Sequence, residues 1–316
     1  TGGLNTALGK EAGTLLSSGQ RNTFVGSLAG NTASTMEDSV AVGNDAGLFA
    51  TTAHSSVFIG ADAGQGITGT KLTANENTCV GAQAGLILQG DACAKNTLVG
   101  FAAGKVITTG AKNTMIGDRA GDVTSTGGGN VVIGTTCDTN AAGTSNSIVM
   151  GEGATGVGAN NFTFGNGGTD SNIAFGAEEV TAPSDQRYKE DIADATAGLA
   201  FIKDLRPVTF KWKKEKDVPS DHPAYKEGSD KRVMLSNGET NHGFIAQEIK
   251  TAIDNHSEIK DGFRMWSEQG LDEDGNSTGG RQRLGSVALI PILVKAIQEQ
   301  NALIVALTAR VATLEG

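Results

Sequence analysis

The sequence is poor in proline and aromatic residues, and it lacks a long hydrophobic run. Among its 316 residues there are 5 prolines, and aromatic residues make up 5%. Glycine is abundant instead, with 45 residues, about twice the usual share. Because proline is scarce and glycine does not occur at every third position, the chain is not collagen-like. No apolar run approaches the ~18 residues that span a bilayer, so we expect no membrane insertion.

Positive charge is also in short supply. The chain has 25 Lys and Arg against 35 Asp and Glu, which gives a net charge of -10. Nucleic-acid binding depends on clusters of basic side chains, so we expect no nucleic-acid partner. Cys79, Cys93 and Cys137 are an odd number with no metal-ligand spacing, and we interpret them as buried small hydrophobic residues in a reducing compartment. The chain starts at Thr1 without a signal peptide, which favours a C-terminal fragment of a longer protein.

The composition changes sharply near residue 183. Residues 1–183 hold 34 of the 45 glycines, no Trp or Tyr, and no Pro before Pro183 itself. Both Trp, both Tyr and the other four Pro lie beyond that point. We therefore predict two domains, a glycine-rich β-repeat region at 1–183 and a more ordinary domain at 184–316.

The first half is a repeat built on Asn-Thr-x-x-Gly. Its last glycine recurs, with degenerate copies, at Gly9, Gly26, Gly43, Gly60, Gly81, Gly100, Gly117, Gly134, Gly151 and Gly165. Most spacings are 17 residues, and short β-prone runs such as Val57–Ile59 precede the glycines. A 10-residue helix does not fit between them. The pattern predicts a mainly β fold, a β-solenoid or β-roll with about one turn per 17 residues and side-chain ladders of stacked Asn and Thr.

Each repeat carries only two or three sizeable apolar side chains. One turn therefore offsets little of the entropy lost in ordering its backbone. Three chains that share one core would deepen the interior and cover the strand edges, so we predict an obligate homotrimer. The segments 39–43 and 147–151 resemble the head repeats of trimeric adhesins. The whole array resembles fibre segments of bacteriophage tails.

Three motifs occur in order in the second half. They are Ser184-Asp-x-Arg-x-Lys-x-x-Ile192, His242-Gly-Phe-Ile-Ala-Gln-Glu-Ile249, and the apolar run Leu289–Glu299. Together they resemble the intramolecular chaperone domain of the peptidase S74 family, which ends many phage tail fibres, tailspikes and endosialidases. The resemblance covers about residues 184–316. It implies an α+β domain that helps three chains to assemble and is then released by cleavage at Pro183–Ser184.

The resemblance also implies a catalytic dyad, with Ser184 as nucleophile and Lys189 as general base. A serine hydroxyl needs a base, and a lysine serves only when burial lowers its pKa. Residues five apart face opposite sides of a strand and lie about 140° apart on a helix. The two therefore meet only if the segment turns or if they come from different chains. Candidates for active-site support are Asp185, Arg187, His242, Gln247 and Glu248.

A heptad pattern runs through a C-terminal helix predicted at about 287–315. The a positions hold Ile or Val, the d positions hold Leu, and Gln300 is a polar d residue suited to fixing register. The heptad residues are Ile290, Leu293, Ile297, Gln300, Ile304, Leu307, Val311 and Leu314. Ile at a with Leu at d favours two strands, whereas the family resemblance implies three. The alternative is a helix packed on its own domain.

Two further patterns are discounted. Gly64-x-Gly66-x-x-Gly69 matches a dinucleotide fingerprint but opens no helix. Asp272–Asn276 hints at calcium, yet a hairpin turn explains it better. We expect no cofactor and no metal.

The leading interpretation is the C-terminus of a viral tail fibre or tailspike, assembled in the host cytoplasm and carried in the virion tail. Its expected partner is a host cell-surface receptor, a glycan or an outer-membrane protein, and its one expected activity is single-turnover self-cleavage. A glycan-degrading tailspike remains an alternative. The repeats lack the Trp and Tyr of sugar subsites, but carboxylate pairs such as Asp45 with Asp62 or Asp118 with Glu152 would suit it. A cellular trimeric adhesin, which would need an export signal, also remains open.

Overall fold

The computed structural model describes residues 2–177, 179–181, 184–220, 222, 224–234, 238–260, 263–268 and 282–315, without the side chain of Tyr188. The chain forms two compact units, Thr1–Tyr188 and Lys189–Gly316. Asp272–Asn276 and Pro183 lie outside the described residues.

The first unit is one sheet of short strands in chain order. Its strands are β1 (Thr6–Leu8), β2 (Thr23–Val25), β3 (Val40–Val42), β4 (Val57–Ile59), β5 (Thr78–Val80), β6 (Thr97–Val99), β7 (Thr114–Ile116), β8 (Val131–Ile133), β9 (Ser147–Met150), β10 (Asn161–Phe164) and β11 (Ser171–Ala174). β1 to β10 pair in parallel, each strand with the next, so that Phe24 faces Ala41 and Ala41 faces Phe58. The predicted β-solenoid is confirmed, with about nine turns of about 17 residues.

The interior of the solenoid is narrow and is enclosed within a single chain. The central residue of each strand from β2 to β9 points inward and is fully buried, as Phe24, Phe58 and Leu98 illustrate. The alanines of the repeated Ala-Gly pairs, such as Ala29 and Ala63, pack beside them. One chain thus closes the interior that we expected three chains to share, because alanine and glycine at the other inward positions leave room for only one or two large side chains per turn, as with Phe24 and Met36. The homotrimer stays a prediction.

The three cysteines are buried, as predicted, and none of them forms a disulfide bond. Burial raises the pKa of both Cys93 and Cys137 to about 11, which keeps these thiols protonated at neutral pH.

A ladder of buried amides runs along the solenoid. The Asn22 backbone N–H donates to Asn5 Oδ1 at 2.9 Å. In the same way, the Asn113 backbone N–H donates to Asn96 Oδ1 at 2.9 Å. In the degenerate turns Ser39 and Ser56 take the same place, and the Ser39 hydroxyl oxygen accepts the Ser56 N–H at 3.0 Å. The predicted side-chain ladder therefore exists at the Asn positions of the motif, and it supplies hydrogen bonds where apolar area is scarce.

Replacing Asn113 with alanine should destabilise the solenoid by about 3 kcal/mol, because each buried polar group left without a partner costs about 1–3 kcal/mol. The Asn113 side chain donates to the Gly127 carbonyl at 3.0 Å and accepts the Asn130 backbone N–H at 3.1 Å. The variant leaves this carbonyl and this N–H without the Asn113 side chain as a partner. Urea unfolding followed by circular dichroism measures the loss. Asn31→Ala removes an exposed amide bond to the Glu11 carbonyl and should cost far less. Equal losses in the two variants would contradict the ladder's role.

Asp138 lies against the preceding solenoid turn and is partly buried. Its carboxylate accepts the Val123 backbone N–H at 2.9 and 3.0 Å and the Thr139 N–H at 3.0 Å. Burial outweighs these bonds and raises its pKa to about 6. The folded chain therefore holds this proton more tightly than the unfolded chain does.

Stability should consequently fall as pH rises from about 4 to about 6, since the folded state loses a proton over this range that the unfolded state has already released. Asp138→Asn keeps an oxygen that accepts the Val123 N–H, so the variant should fold while losing this part of the pH dependence. Urea midpoints at several pH values measure both profiles. Parallel profiles for parent and variant would show that Asp138 does not titrate in this way.

An antiparallel strand ends the solenoid. β11 pairs with β10 in the opposite direction, so that Phe162 faces Ile173. Beyond β11 the chain makes one more bridge, in which the Asn172 and Thr181 backbones exchange hydrogen bonds of 2.7 and 2.8 Å. Reversal of strand direction stops further stacking on this edge.

Within its described residues, the second unit combines short strands with three α-helices. Its elements are α1 (Leu199–Asp204), β12 (Val208–Phe210), β13 (Asn241–Gly243), α2 (Ala246–Asp254), β14 (Trp266–Glu268), β15 (Gln282–Leu284) and α3 (Leu289–Glu315). β12 pairs with β13 and β14 with β15, both antiparallel. Phe201, Ile249, Met265 and Ile292 meet in the core. The polar excursion between β12 and β13 is tied by ion pairs from Lys214 and Lys216 to Asp230, of 2.6 and 2.8 Å.

By length and composition alone, the helical stretch Ser286–Glu315 is apolar enough to cross a bilayer. A single helix of this kind is weak evidence for a membrane span, because helices that pack in the core of soluble proteins pass the same test. The sequence-based expectation of no membrane insertion stays a prediction.

Candidate functional site

The junction between solenoid and second unit begins with an exposed serine. Ser184 follows Thr181, the last bridged residue of the solenoid, by three positions. A 3-10 turn at Gln186–Tyr188 comes next, and Lys189 follows directly, also exposed. The segment between the two candidate dyad residues therefore turns, which is one of the two conditions set by their spacing.

Asp185 and Arg187 hold this turn together. The Asp185 carboxylate accepts the Arg187 backbone N–H at 2.9 Å and the Arg187 guanidinium at 2.7 Å. The carboxylate thus caps the turn as a side chain caps a helix start. Their ion pair raises the pKa of Arg187 further above its usual range. In the described chain these two residues shape the backbone between Ser184 and Lys189.

The second motif forms a strand-to-helix junction. His242 lies in β13 opposite Thr209 and is exposed, and Gln247 is exposed in the first turn of α2. Glu248 forms a two-pronged ion pair with Arg206, whose Nε lies 3.0 Å from the Glu248 carboxylate. This pairing lowers the pKa of Glu248. It joins α2 to the segment after α1, so Glu248 has a structural contact in the single chain.

The heptad face of α3 is not the face that packs on the second unit. Leu289, Ile292 and Ala296 are the buried residues of this helix. The eight heptad residues from Ile290 to Leu314 are all exposed, and so is every residue from 301 to 315. The alternative of a helix packed on its own domain therefore describes only the first turns of α3, and on another face.

Comparison with known protein families finds a match that begins at the junction and continues into the second unit. Residues 184–258 match the family model Peptidase_S74, described as chaperone of endosialidase. We call the part of the chain from Ser184 onward, which is similar to that chaperone over residues 184–258, the chaperone domain. No curated protein and no solved structure matches the chain significantly. The match begins at Ser184 and includes both the dyad candidates and the Gly-Phe-Ile-Ala-Gln-Glu motif.

This match supports a protein of the tail fibre or tailspike type that has a chaperone. The family is one of self-cleaving peptidases, and its chaperone domains are associated with trimeric tail proteins. The resemblance is thereby confirmed over residues 184–258, which contain the first two of the three motifs.

In the chaperone domain His256 lies between two carboxylates, a cluster that the sequence did not reveal. His256 lies 2.8 Å from Asp204 through Nε2 and 3.0 Å from Glu258 through Nδ1, and its ring contacts the edge of Phe201. The hydrogen bonds to Asp204 and then Glu258 raise the pKa of His256. Asp204 and His256 are 52 residues apart in the sequence, so their contact could not be predicted. Only the contact between His256 and Glu258, two residues apart, could have been suspected from the sequence.

Glu299 ties the first turns of α3 to α1. Its Oε2 accepts the Leu199 backbone N–H at 2.8 Å, which caps the start of α1. Gly198 leaves room for it, because a Cβ there would lie 2.5 Å from the Glu299 carboxylate. The third motif therefore contributes a polar contact as well as apolar packing.

Among the described residues, no group of three or more His, Cys, Asp or Glu side chains is placed to hold a metal ion. The expectation of no cofactor and no metal stays a prediction.

Proposed function

We propose that this chain is the end of a phage tail fibre or tailspike whose solenoid is assembled as a homotrimer by the chaperone domain and then freed by cleavage at Pro183–Ser184. The observation that carries the proposal is the position of Ser184. It opens the family match and lies three residues beyond the final bridge of the solenoid. Cleavage there would leave the Asn172–Thr181 bridge, and with it the capped end of the fibre, intact.

The chemistry requires no group from outside the chain except water. Ser184 Oγ attacks the Pro183 carbonyl carbon while a neutral Lys189 amine takes the hydroxyl proton. The carbon–nitrogen bond breaks, the Ser184 nitrogen takes up a proton, and an ester joins Pro183 to the Ser184 oxygen. Water then hydrolyses the ester, which leaves a carboxylate on Pro183 and restores the hydroxyl of Ser184.

Assembly would control this reaction through Lys189. A lysine amine acts as a base when it is buried and neutral, and the Lys189 side chain is exposed in the single chain. We propose that neighbouring copies cover it, so that cleavage follows correct assembly.

The exposed heptad face of α3 supports assembly of several copies. α3 has 27 residues and is about 40 Å long. Its outer half contributes no buried residue to the described second unit, although Ile304, Leu307 and Val311 lie there. A coiled coil of three such helices would remove these side chains from water.

After release, the solenoid would be the part that meets the host. We propose that the trimeric fibre, carried in the virion tail after assembly in the host cytoplasm, contacts a glycan or an outer-membrane protein on the cell surface.

Mass spectrometry and sedimentation equilibrium of the freshly expressed chain test the proposal. The expected result is two polypeptides that meet between residues 183 and 184, with the solenoid fragment at three times its chain mass. An uncut chain would refute release by cleavage. A monomeric fragment would refute trimeric assembly.

A further inference from the structure

The outer face of the solenoid sheet carries no charged side chain along its whole length. Because successive strand residues alternate between faces, the two residues that flank the buried inward residue of each strand from β2 to β10 point outward, and Thr6 and Leu8 of β1 continue the two rows. One outward row contains Thr6, Thr23, Val40, Val57, Thr78, Thr97, Thr114, Val131, Ile148 and Phe162. The other contains Leu8, Val25, Val42, Ile59, Val80, Val99, Ile116, Ile133, Met150 and Phe164. We call these twenty residues the ladder face.

None of the twenty residues is charged, although charged residues make up 19% of the chain. A sheet with one solvated face alternates apolar and polar residues, whereas a parallel sheet covered on both faces is apolar throughout. The ladder face is closer to the second pattern, since fifteen of its residues are Val, Leu, Ile, Met or Phe and the other five are Thr. Charges lie instead at the adjacent corner, where Arg21 bonds Asp38 at 2.8 Å and Lys95 lies 3.9 Å from Glu76. An apolar centre with a charged rim is typical of a protein–protein interface.

The size of the ladder face suits assembly. Ten strands at a spacing of ~4.8 Å make it about 45 Å long, and two rows of side chains make it about 10 Å wide. Contiguous apolar patches of several hundred Å² are often functional surfaces.

The regular pitch of the ladder face points to its partner. Its rows repeat at the strand spacing over ten strands in parallel register, as from Thr97 to Thr114. Only a surface with the same pitch meets every turn equally, and the ladder face of a second copy is such a surface. Parallel copies would also set each turn against its own counterpart, with Thr against Thr and Phe against Phe.

We propose that copies of this chain pack together through the ladder face, parallel and turn against turn around a shared axis. The proposal rests on the homotrimer proposed above and identifies the surface that the solenoid uses in it. The apolar core between chains would then be separate from the core that each chain encloses.

Thiol labelling of the full chain tests the proposal. Ile116→Cys places a thiol on the ladder face, and Val123→Cys places one on the same turn outside it. The parent side chains are 39% and 45% exposed within one chain, so the two thiols are matched. We expect a small maleimide to label position 116 at least about tenfold more slowly than position 123. Ile59→Cys, also 39% exposed, gives a second ladder position. The three native cysteines are buried, and the parent chain supplies the blank.

Sedimentation equilibrium of the same samples separates the outcomes. Trimers with a protected position 116 support the proposal. Trimers with equal labelling at 116 and 123 overturn the ladder face as the interface while leaving the homotrimer standing. Monomers overturn both proposals, and a protected position 116 in a monomer would mean that another part of the same chain covers the face.

Discussion

Replacement of Gly100 by alanine is expected to abolish the folded solenoid. Gly100 has φ of +132°, which L side chains rarely adopt. A Cβ at this position would lie 2.3 Å from the Gly117 carbonyl oxygen and 2.7 Å from the Gly117 carbonyl carbon. Those atoms belong to the backbone of the next turn, so no side chain can rotate to relieve the clash. The two turns would have to separate, which breaks bonds such as the 2.9 Å contact from the Gly117 N–H to the Val99 carbonyl.

The strained backbone conformation and the lost hydrogen bonds should together lower the free energy of unfolding by more than ~4 kcal/mol, a loss that few single substitutions cause. Protease resistance of residues 1–183, together with circular dichroism of the full chain, measures the result. Gly69→Ala is the matched control, since no atom lies within 4 Å of its added Cβ, and it should fold like the parent. A Gly100→Ala protein as resistant as the control would show that adjacent turns need no such close approach.

The repeat was readable from the sequence because its spacing is a one-dimensional property. Glycine spacing and β-prone runs predicted the stacked strands, and Asn-Thr predicted the ladder. The continuation of the ladder through Ser39 and Ser56 was not predicted, because serine at these positions matches the amide oxygen only once the turns are stacked. The closed single-chain core was also missed. Counts of large apolar residues do not reveal that alanine and glycine narrow the interior until one or two large side chains fill each turn.

Contacts over long sequence separations explain what was missed in the chaperone domain. The motifs predicted the domain and the exposed heptad residues, because both are local patterns. Which face of α3 packs on its own unit depends on where α1 lies, and so Leu289, Ile292 and Ala296 could not be chosen in advance. The contact of Glu299 with Leu199 spans 100 residues. No periodicity connects these two positions.

Replacement of Ser184 by alanine is expected to leave the chain as a single uncut polypeptide. The variant lacks the oxygen that would attack the Pro183 carbonyl, and loss of a nucleophile costs at least about 10³-fold in rate. Mass spectrometry after expression and during long incubation measures the uncut fraction. Ser220→Ala, which changes an exposed serine of the second unit, should be cut like the parent.

Lys189→Arg separates the proton-transfer role of Lys189 from its charge. Arginine keeps the positive charge and its hydrogen bonds but does not give up its proton in proteins, so this variant should also remain uncut. Both variants should still sediment as trimers, because assembly precedes the chemistry in the proposed order. Cleavage between residues 183 and 184 in Ser184→Ala would exclude the serine as nucleophile. Cleavage at the parent rate in Lys189→Arg would exclude the lysine as base while leaving the chaperone role of the domain intact.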